Sequence, residues 1–340
     1  MENKKIRFGI IGTGKIVEWM LAGASRDARF EATALYSRTA ERAHEFAGKH
    51  GIGHCFTSLE EMASSGLIDA VYIASPNCCH AEQSIKCMDH GLHVLCEKPL
   101  ASNAREARLM IDAARRNNVA LMEAMVATLN PNFEVVRQQL PHVGTVRRYV
   151  ASYCQYSSRY DALKEGTVLN AFRPELSNGA VMDIGIYTIY PMIALFGKPL
   201  SLKADGVMLP TGADGQGVVN FEYPGMNATV MYSKIANSYM QSEIQGEAGN
   251  LLMDDIHIIR HVTYIPRPVA ASGRGPVEER IDVGVELDKD IYTYEMTHFL
   301  DLLEQGRRES DINRLETSLN AMEVIDEIRR QIGVAFPADK

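Results

Sequence analysis

The run Gly9-Ile10-Ile11-Gly12-Thr13-Gly14-Lys15-Ile16-Val17 joins a short apolar segment to an amphipathic one near the start of the chain. It constrains the fold more than any other feature. A backbone that leaves a strand, turns tightly and enters a helix within a few residues needs glycine where a side chain would block the turn. Gly12 and Gly14 supply that turn and the close backbone approach that a pyrophosphate requires, and Gly9, Thr13, Lys15 and Ile16 complete the candidate phosphate-binding segment. A helix starting near Lys15 offers unpaired N–H groups and a positive dipole end to an anion. Position 17 holds Val where a third small residue is usual, so the fingerprint is incomplete and takes its weight from the strand–turn–helix context.

The following residues agree with that start. Short apolar runs at 6–11, 31–36, 70–74, 92–96 and 119–122 alternate with helical patterns at 38–50, 80–90 and 103–117. This alternation predicts βαβ units and a parallel sheet, with Gly91 as the left-handed cap of the second helix. Beyond Asn130-Pro131 the pattern changes. A short helix to about 140 precedes strands at 146–156, 202–208, 218–223, 227–235 and 239–245, and helices at 292–305 and 313–332 close the chain. Sequential strands of this kind predict a largely antiparallel sheet. At 340 residues two cores are expected. The predicted fold is α/β: an N-terminal Rossmann domain with a doubly wound parallel sheet over 1–124, and a C-terminal α+β domain with a large, mostly antiparallel open sheet over 125–340. The Pro-, Gly- and Ser-rich stretch 266–276 is the expected exposed loop.

A net charge of -8 excludes a general nucleic-acid binder, which needs a basic footprint to displace counterions. No apolar run approaches the roughly 20 residues that span a bilayer. The opening residues Met1-Glu2-Asn3-Lys4-Lys5 lack the apolar stretch of a signal peptide, so a cytoplasmic location is expected, with no membrane partner. The six cysteines include no C-x-x-C pair and none is joined to His at zinc-ligand spacing, so no metal is expected. The vicinal pair Cys78-Cys79 reads as buried thiols in a reducing compartment before it reads as a redox site.

The end of the second strand bears on which dinucleotide is bound. An NAD enzyme usually places an acid there for the ribose 2′-hydroxyl, about twenty residues past the glycines. The run Leu35-Tyr36-Ser37-Arg38-Thr39 has none. A hydroxyl and a guanidinium, Ser37 and Arg38, can bind a 2′-phosphate that a carboxylate would repel, which predicts NADP(H) over NAD(H). Further on, Leu92-His93-Val94-Leu95-Cys96-Glu97-Lys98-Pro99-Leu100 puts two charges directly after an apolar strand. Ligands of open α/β sheets bind outside the carboxyl ends of the strands, which aims Lys98 at the cleft. Position alone fits a solvated loop lysine equally well.

Taken together, Gly12-x-Gly14, the run Tyr72-Ile73-Ala74-Ser75-Pro76-Asn77-x-x-His80 and the Glu97-Lys98-Pro99 segment resemble the glucose-fructose oxidoreductase / inositol dehydrogenase / MocA family over essentially the whole chain. Gly179-Ala180-Val181-Met182-Asp183-Ile184-Gly185-Ile186-Tyr187 and the C-terminus from Ile332 to Lys340 are similar to the branch of dimeric dihydrodiol dehydrogenase. The resemblance implies a nicotinamide-dependent oxidoreductase acting on CH–OH groups of a small sugar, polyol or vicinal diol, or on the matching carbonyl compound. It implies a catalytic Lys98, a cofactor cleft that includes Ser75, Pro76, Asn77, His80 and Glu97, and a homodimer formed through the C-terminal sheet. A tyrosine is a poor base at neutral pH, but a nearby ammonium favours its phenolate. By resemblance Tyr187 is the general acid/base, Lys98 its activator and oxygen anchor, and Asp183 the residue that orients them. Which of Tyr187 and Lys98 moves the proton stays open.

The segment after Glu123-Ala124 departs from that branch. Val126 and Thr128 stand where a large aromatic and a cation are common, which argues against aromatic dihydrodiols. Arg173 is either a polar contact for a polyol or a surface arginine. Two rival functions remain. An aldose–aldose oxidoreductase with a permanently held cofactor is disfavoured, because only about five residues precede the first strand and such proteins tend to carry an N-terminal arm. A non-catalytic cofactor or sugar sensor of the same fold is disfavoured by the joint presence of Lys98, Asp183 and Tyr187.

Overall fold

The structure is a computed structural model, described over residues 5–268 and 279–340. Within it β1 (Ile6–Ile11), α1 (Lys15–Ala24), β2 (Phe30–Tyr36), α2 (Ala40–His50), β3 (His54–Phe56), α3 (Leu59–Ser64), β4 (Ala70–Ile73), α4 (His80–Asp89), β5 (His93–Glu97), α5 (Ala104–Asn117) and β6 (Leu121–Ala124) follow one another. The six strands pair in the order β3-β2-β1-β4-β5-β6, and every neighbouring pair is parallel. Helices on both faces explain the near-continuous apolar runs: all four residues of β4 are buried, as are Phe8, Ile10 and Ile11 of β1. The strand order reverses between β1 and β4, the switch point at which such sheets open a crevice beyond their carboxyl ends. The pattern does not predict β3 and α3. Three residues are too few for a strand period, and α3 is six residues held by Ser58, whose side chain accepts from the Glu61 N–H. Gly91 adopts φ 79° beyond the end of α4, as its position predicts.

After β6 come α6 (Val126–Leu129), α7 (Pro131–Gln139), β7 (Val146–Cys154), α8 (Tyr160–Lys164), α9 (Ile186–Phe196), β8 (Ser201–Met208), β9 (Asp214–Tyr223), β10 (Met226–Ser233), β11 (Ser242–Gly246), β12 (Gly249–Met253), β13 (Val262–Pro266) and β14 (Ile281–Asp282), whose strands form a second sheet. The helices α10 (Ile291–Glu304) and α11 (Leu315–Ile332) follow. The eight strands run β14-β13-β12-β11-β7-β10-β9-β8, and all pairs are antiparallel except β7–β10. The sheet is thus mostly antiparallel. One parallel junction arises because the β8–β9–β10 meander returns alongside β7 in the same direction. Strands β12 to β14 lie beyond the predicted set, and of the loop expected at 266–276, residues 269–276 lie outside the described residues.

Two compact units result: Met1–Val126 with Lys289–Met322, and Ala127–Asp288 with Glu323–Lys340. The expected division at 124/125 assigned 289–322 to the second domain, whereas α10 packs on the first. A Cβ on Gly23 of α1 would lie 2.7 Å from the Tyr292 Cβ, Thr293 donates to the Gly23 carbonyl at 2.9 Å, and the Phe8 and Phe299 rings lie 6.2 Å apart. An amphipathic helix pattern states that a face is buried but not which core buries it.

Candidate active site

Most residues predicted for the cofactor follow the carboxyl ends of strands in the first unit. Gly12 has φ +126°, and a Cβ there would lie 2.5 Å from the Ala74 carbonyl oxygen, so the turn fits over the end of β4 only as glycine. Gly14 is different. Its φ is -88°, and a Cβ on it would meet no protein atom within 4 Å. Gly14, the N-cap of α1, makes no side-chain cap, and the N–H groups and dipole at this helix start suit an anion. The open cradle at Gly14 therefore fits a dinucleotide pyrophosphate. Gly9 instead serves packing inside β1, where a Cβ would lie 2.7 Å from Ile68 Cδ1.

These two glycines give a paired prediction. Gly12→Ala is expected to cost about 2 kcal/mol or more, the scale of backbone strain plus a clash. Gly14→Ala should leave stability unchanged or raise it by about 0.5 kcal/mol while weakening dinucleotide binding roughly tenfold, because only the ligand meets the added methyl. Urea midpoints and NADPH fluorescence titrations check both. Unaltered NADPH affinity in Gly14→Ala would remove the phosphate from this turn.

Beyond β2, Ser37 is nearly buried and its N–H donates to the Phe56 carbonyl at 3.1 Å. Arg38 is exposed. Arg42 on α2, which the strand-end motif does not single out, reaches back so that its Nε donates to Thr13 Oγ1 at 2.6 Å. Beyond β4, Ser75 Oγ donates to Gln83 Oε1 at 2.6 Å. The free Cys78 and Cys79 sulfurs lie 3.8 Å apart. The Cys78 thiol, helped by the Arg38 charge, draws Cys79 down to about 7 against the effect of burial.

Two residues assigned to the cleft turn inward. His80 is buried, with Nδ1 2.9 Å from the Pro99 carbonyl oxygen and Nε2 3.0 Å from that of Ser75, so it ties the ends of β4 and β5 together. Only an imidazolium could donate to both. Burial nonetheless lowers its pKa, outweighing the two carbonyls that raise it, and the nearby Lys98 charge acts with burial. The neutral ring is therefore the form at neutral pH, and it donates to one carbonyl at a time. Glu97 is also buried. It accepts from the Tyr72 hydroxyl at 2.5 Å and from the Lys98 backbone N–H at 3.2 Å, so its carboxylate braces the turn that carries Lys98. Two further acids lie in this interior. Burial lifts Glu123, which accepts from the Leu100 N–H at 2.9 Å, to about 7. Burial, and then the Glu97 charge, push the Glu295 carboxyl well above the ordinary carboxylate range. Lys98 itself is half-buried, ahead of a cis peptide to Pro99.

The second unit carries Asp183 and Tyr187. Residues Val181–Gly185 form a π-helical turn that runs directly into α9, an insertion common at functional sites. Its start is held by Asp214, fully buried at the beginning of β9, whose Oδ2 accepts from the Val181 N–H at 2.8 Å. Burial raises this carboxyl to about 6, opposed by the backbone N–H groups and by the Lys234 charge. Gly179 makes room for it, since a Cβ there would come within 2.1 Å of Asp214 Oδ1. Asp183 forms an ion pair with Lys234, a residue the sequence pattern does not single out. Tyr187 meets Tyr153 edge-on at 5.6 Å and His257 at 5.8 Å, while Tyr153 and His257 stack at 4.5 Å. Asp255 Oδ1, 2.6 Å from His257 Nδ1, fixes that ring from behind. Arg173 is exposed and donates to the Val168 carbonyl at 3.1 Å, the arrangement of a surface arginine stapling its own loop. Val126 and Thr128 are both buried.

A 3-2-1-4-5-6 parallel sheet with open space at Gly14 in its first glycine turn has the form of a dinucleotide-binding fold. Known proteins narrow this class. Residues 6–125 match the model of the oxidoreductase family with an NAD-binding Rossmann fold, and residues 141–252 match the Gfo/Idh/MocA C-terminal domain. The chain belongs to the Gfo/Idh/MocA family and is a nicotinamide-dependent oxidoreductase. It is 49% identical over 98% of its length to the NADP(+) scyllo-inositol 2-dehydrogenase of Bacillus subtilis, covering 99% of that protein. It is 30% identical to the trans-1,2-dihydrobenzene-1,2-diol dehydrogenase of Xenopus laevis, over 97% of this chain and 99% of that one. In fold it resembles a 3-ketoreductase from Actinomadura kijaniata in complex with NADP (TM-score 0.79, 22% identity, 97% and 98% of the two chains).

Proposed function

We propose that this oxidoreductase transfers a hydride between NADP(H) and a secondary ring carbinol of a small polyol, with cyclitols as the favoured class. The observation that carries this reading is 49% identity, over nearly the full length of both chains, to an NADP(+)-dependent scyllo-inositol 2-dehydrogenase. The residues after β2 point the same way for the coenzyme, with Ser37, Arg38 and Arg42 available and no acid at that strand end.

In this reading a bound nicotinamide would supply the acceptor for the hydride of the carbinol carbon. The chain must then accept the hydroxyl proton. Tyr187 takes that proton, the Lys98 ammonium favours the phenolate and binds the substrate oxygen, and Asp183 orients the pair. Glu97 holds the backbone of Lys98 by accepting from its N–H. The stacked Tyr153–His257 pair gives Tyr187 an aromatic flank, a surface suited to the C–H face of a cyclitol ring.

A panel of inositol isomers, aldoses and alicyclic and aromatic vicinal diols with NADP+, monitored at the nicotinamide band, tests the proposal. Turnover of scyllo-inositol or another cyclitol above the aldoses and aromatic diols is expected. Turnover confined to aromatic diols would replace the substrate class, and silence across the panel despite tight NADPH binding would favour a sensor.

A further inference from the structure

Lys234 follows β10 and has a side chain only 4% exposed, yet it belongs to none of the groups given a role above. Lysine is almost never buried to this degree unless paired, and a buried ion pair is weak evidence for stability because apolar residues of similar volume often serve as well. Its surroundings are specific. The ammonium pairs with Asp183 Oδ2 and lies 5.2 Å from the centre of the Phe172 ring, while its backbone N–H donates to the Gly215 carbonyl at 2.8 Å. Gly215 adjoins Asp214, the acid that holds the start of the π-helical turn. Lys234 therefore joins three pieces of chain around one carboxylate: the end of β10, the turn bearing Asp183 and the segment that ends at Phe172. The Asp183 side chain is itself 33% exposed, so the buried cation grips from behind a group whose other side reaches solvent.

We propose that Lys234 is the positioning residue of the Asp183–Tyr187 turn, fixing the Asp183 carboxylate in the place from which it orients the reacting groups. The proposal rests on the roles given to Asp183 and Tyr187 above. It makes Lys234 a residue that acts through Asp183 and does not touch substrate.

The test is a double-mutant cycle, with kcat and KM measured on the panel compound of highest turnover and the NADPH Kd measured by fluorescence. Lys234→Met should lower kcat roughly 10- to 100-fold, the scale on which outer partners of a functional group act. The NADPH Kd should stay within about twofold, and Lys234→Arg should recover most of the loss, because a guanidinium can pair with the same carboxylate. In an Asp183→Asn background, Lys234→Met should cost no more than about threefold further, since residues in one pair are not additive. Independent, multiplying losses would overturn the proposal, as would a Lys234→Met enzyme within about twofold of wild-type kcat. Lys234→Gln runs the same cycle if the Met variant does not fold. Tyr187→Phe and Lys98→Ala measured alongside separate the two levels. If both are inactive while Lys234→Met is unimpaired, only the Lys234 role falls. If either turns over normally, the underlying assignment falls instead.

Discussion

Lys98→Ala is expected to lower kcat by roughly 10²–10⁴-fold, the contribution of positioned acid–base assistance, while the NADPH Kd and the urea midpoint change little. The turn that carries Lys98 has backbone anchors of its own. The backbone of Lys98 is anchored by Glu97, which is held in turn by the Tyr72 hydroxyl, and none of these bonds involves the Lys98 side chain. Pro99 and Leu100 are secured separately, the first by His80 and the second by Glu123. Truncating the lysine leaves these anchors of the turn in place. Tyr187→Phe should show a loss of the same order, since the ring can keep its edge contacts with Tyr153 and His257 and only the hydroxyl goes. The two variants should differ in pH dependence. On the roles proposed above, loss of the ammonium removes what favours the phenolate, so residual activity of Lys98→Ala should rise with pH beyond the range where wild type has levelled off. Loss of the phenol removes that limb. A Lys98→Ala enzyme with near-wild-type turnover and an intact fold would take Lys98 out of the mechanism.

The strands that frame the first unit are legible in the sequence because they are covered on both faces, and continuous apolar runs such as Ala70-Val71-Tyr72-Ile73 admit few other readings. The same property hides the direction of Glu97. In a strand flanked by helices both faces are interior, so alternation cannot tell an acid turned inward from one aimed at a ligand, and only the bond from Tyr72 decides it. Short elements such as β3 carry too little period to be seen, and the destination of α10 depends on a match with Gly23 and Phe8 that lie far away along the chain. Lys98 is legible as a candidate because Pro99 marks the strand end beside it. Lys234 is not: its partner Asp183 lies 51 residues away, and at the end of an alternating strand a lysine reads as solvated. Asp214 escapes for a related reason. A capping acid is sought just before its helix, whereas this one comes from a different strand and enters only because residue 179 is glycine.

Coenzyme choice should turn on Arg38 and Arg42. A 2′-phosphate carries close to two negative charges, and a hydrogen bond to a charged group is worth about 1.5–3 kcal/mol. Removing both guanidiniums is expected to lower kcat/KM for NADP+ by roughly 10²–10⁴-fold, with NAD+ changed by less than about threefold, because only the phosphate distinguishes the two coenzymes. The single variants should divide unequally. Arg38 is exposed directly beyond β2, so its loss should act on NADP+ alone. Arg42 also donates to Thr13 in the glycine turn, so Arg42→Ala should weaken both coenzymes somewhat in addition to its effect on NADP+. Ser37→Asp in the double-Ala background should then raise NAD+ efficiency, because a carboxylate at the end of β2 can accept from the ribose hydroxyls while repelling the phosphate. Steady-state kinetics with both coenzymes at saturating polyol measure all of this. Equal losses for NADP+ and NAD+ in the double variant, or a wild-type preference for NAD+, would show that the residues after β2 do not read the 2′-phosphate.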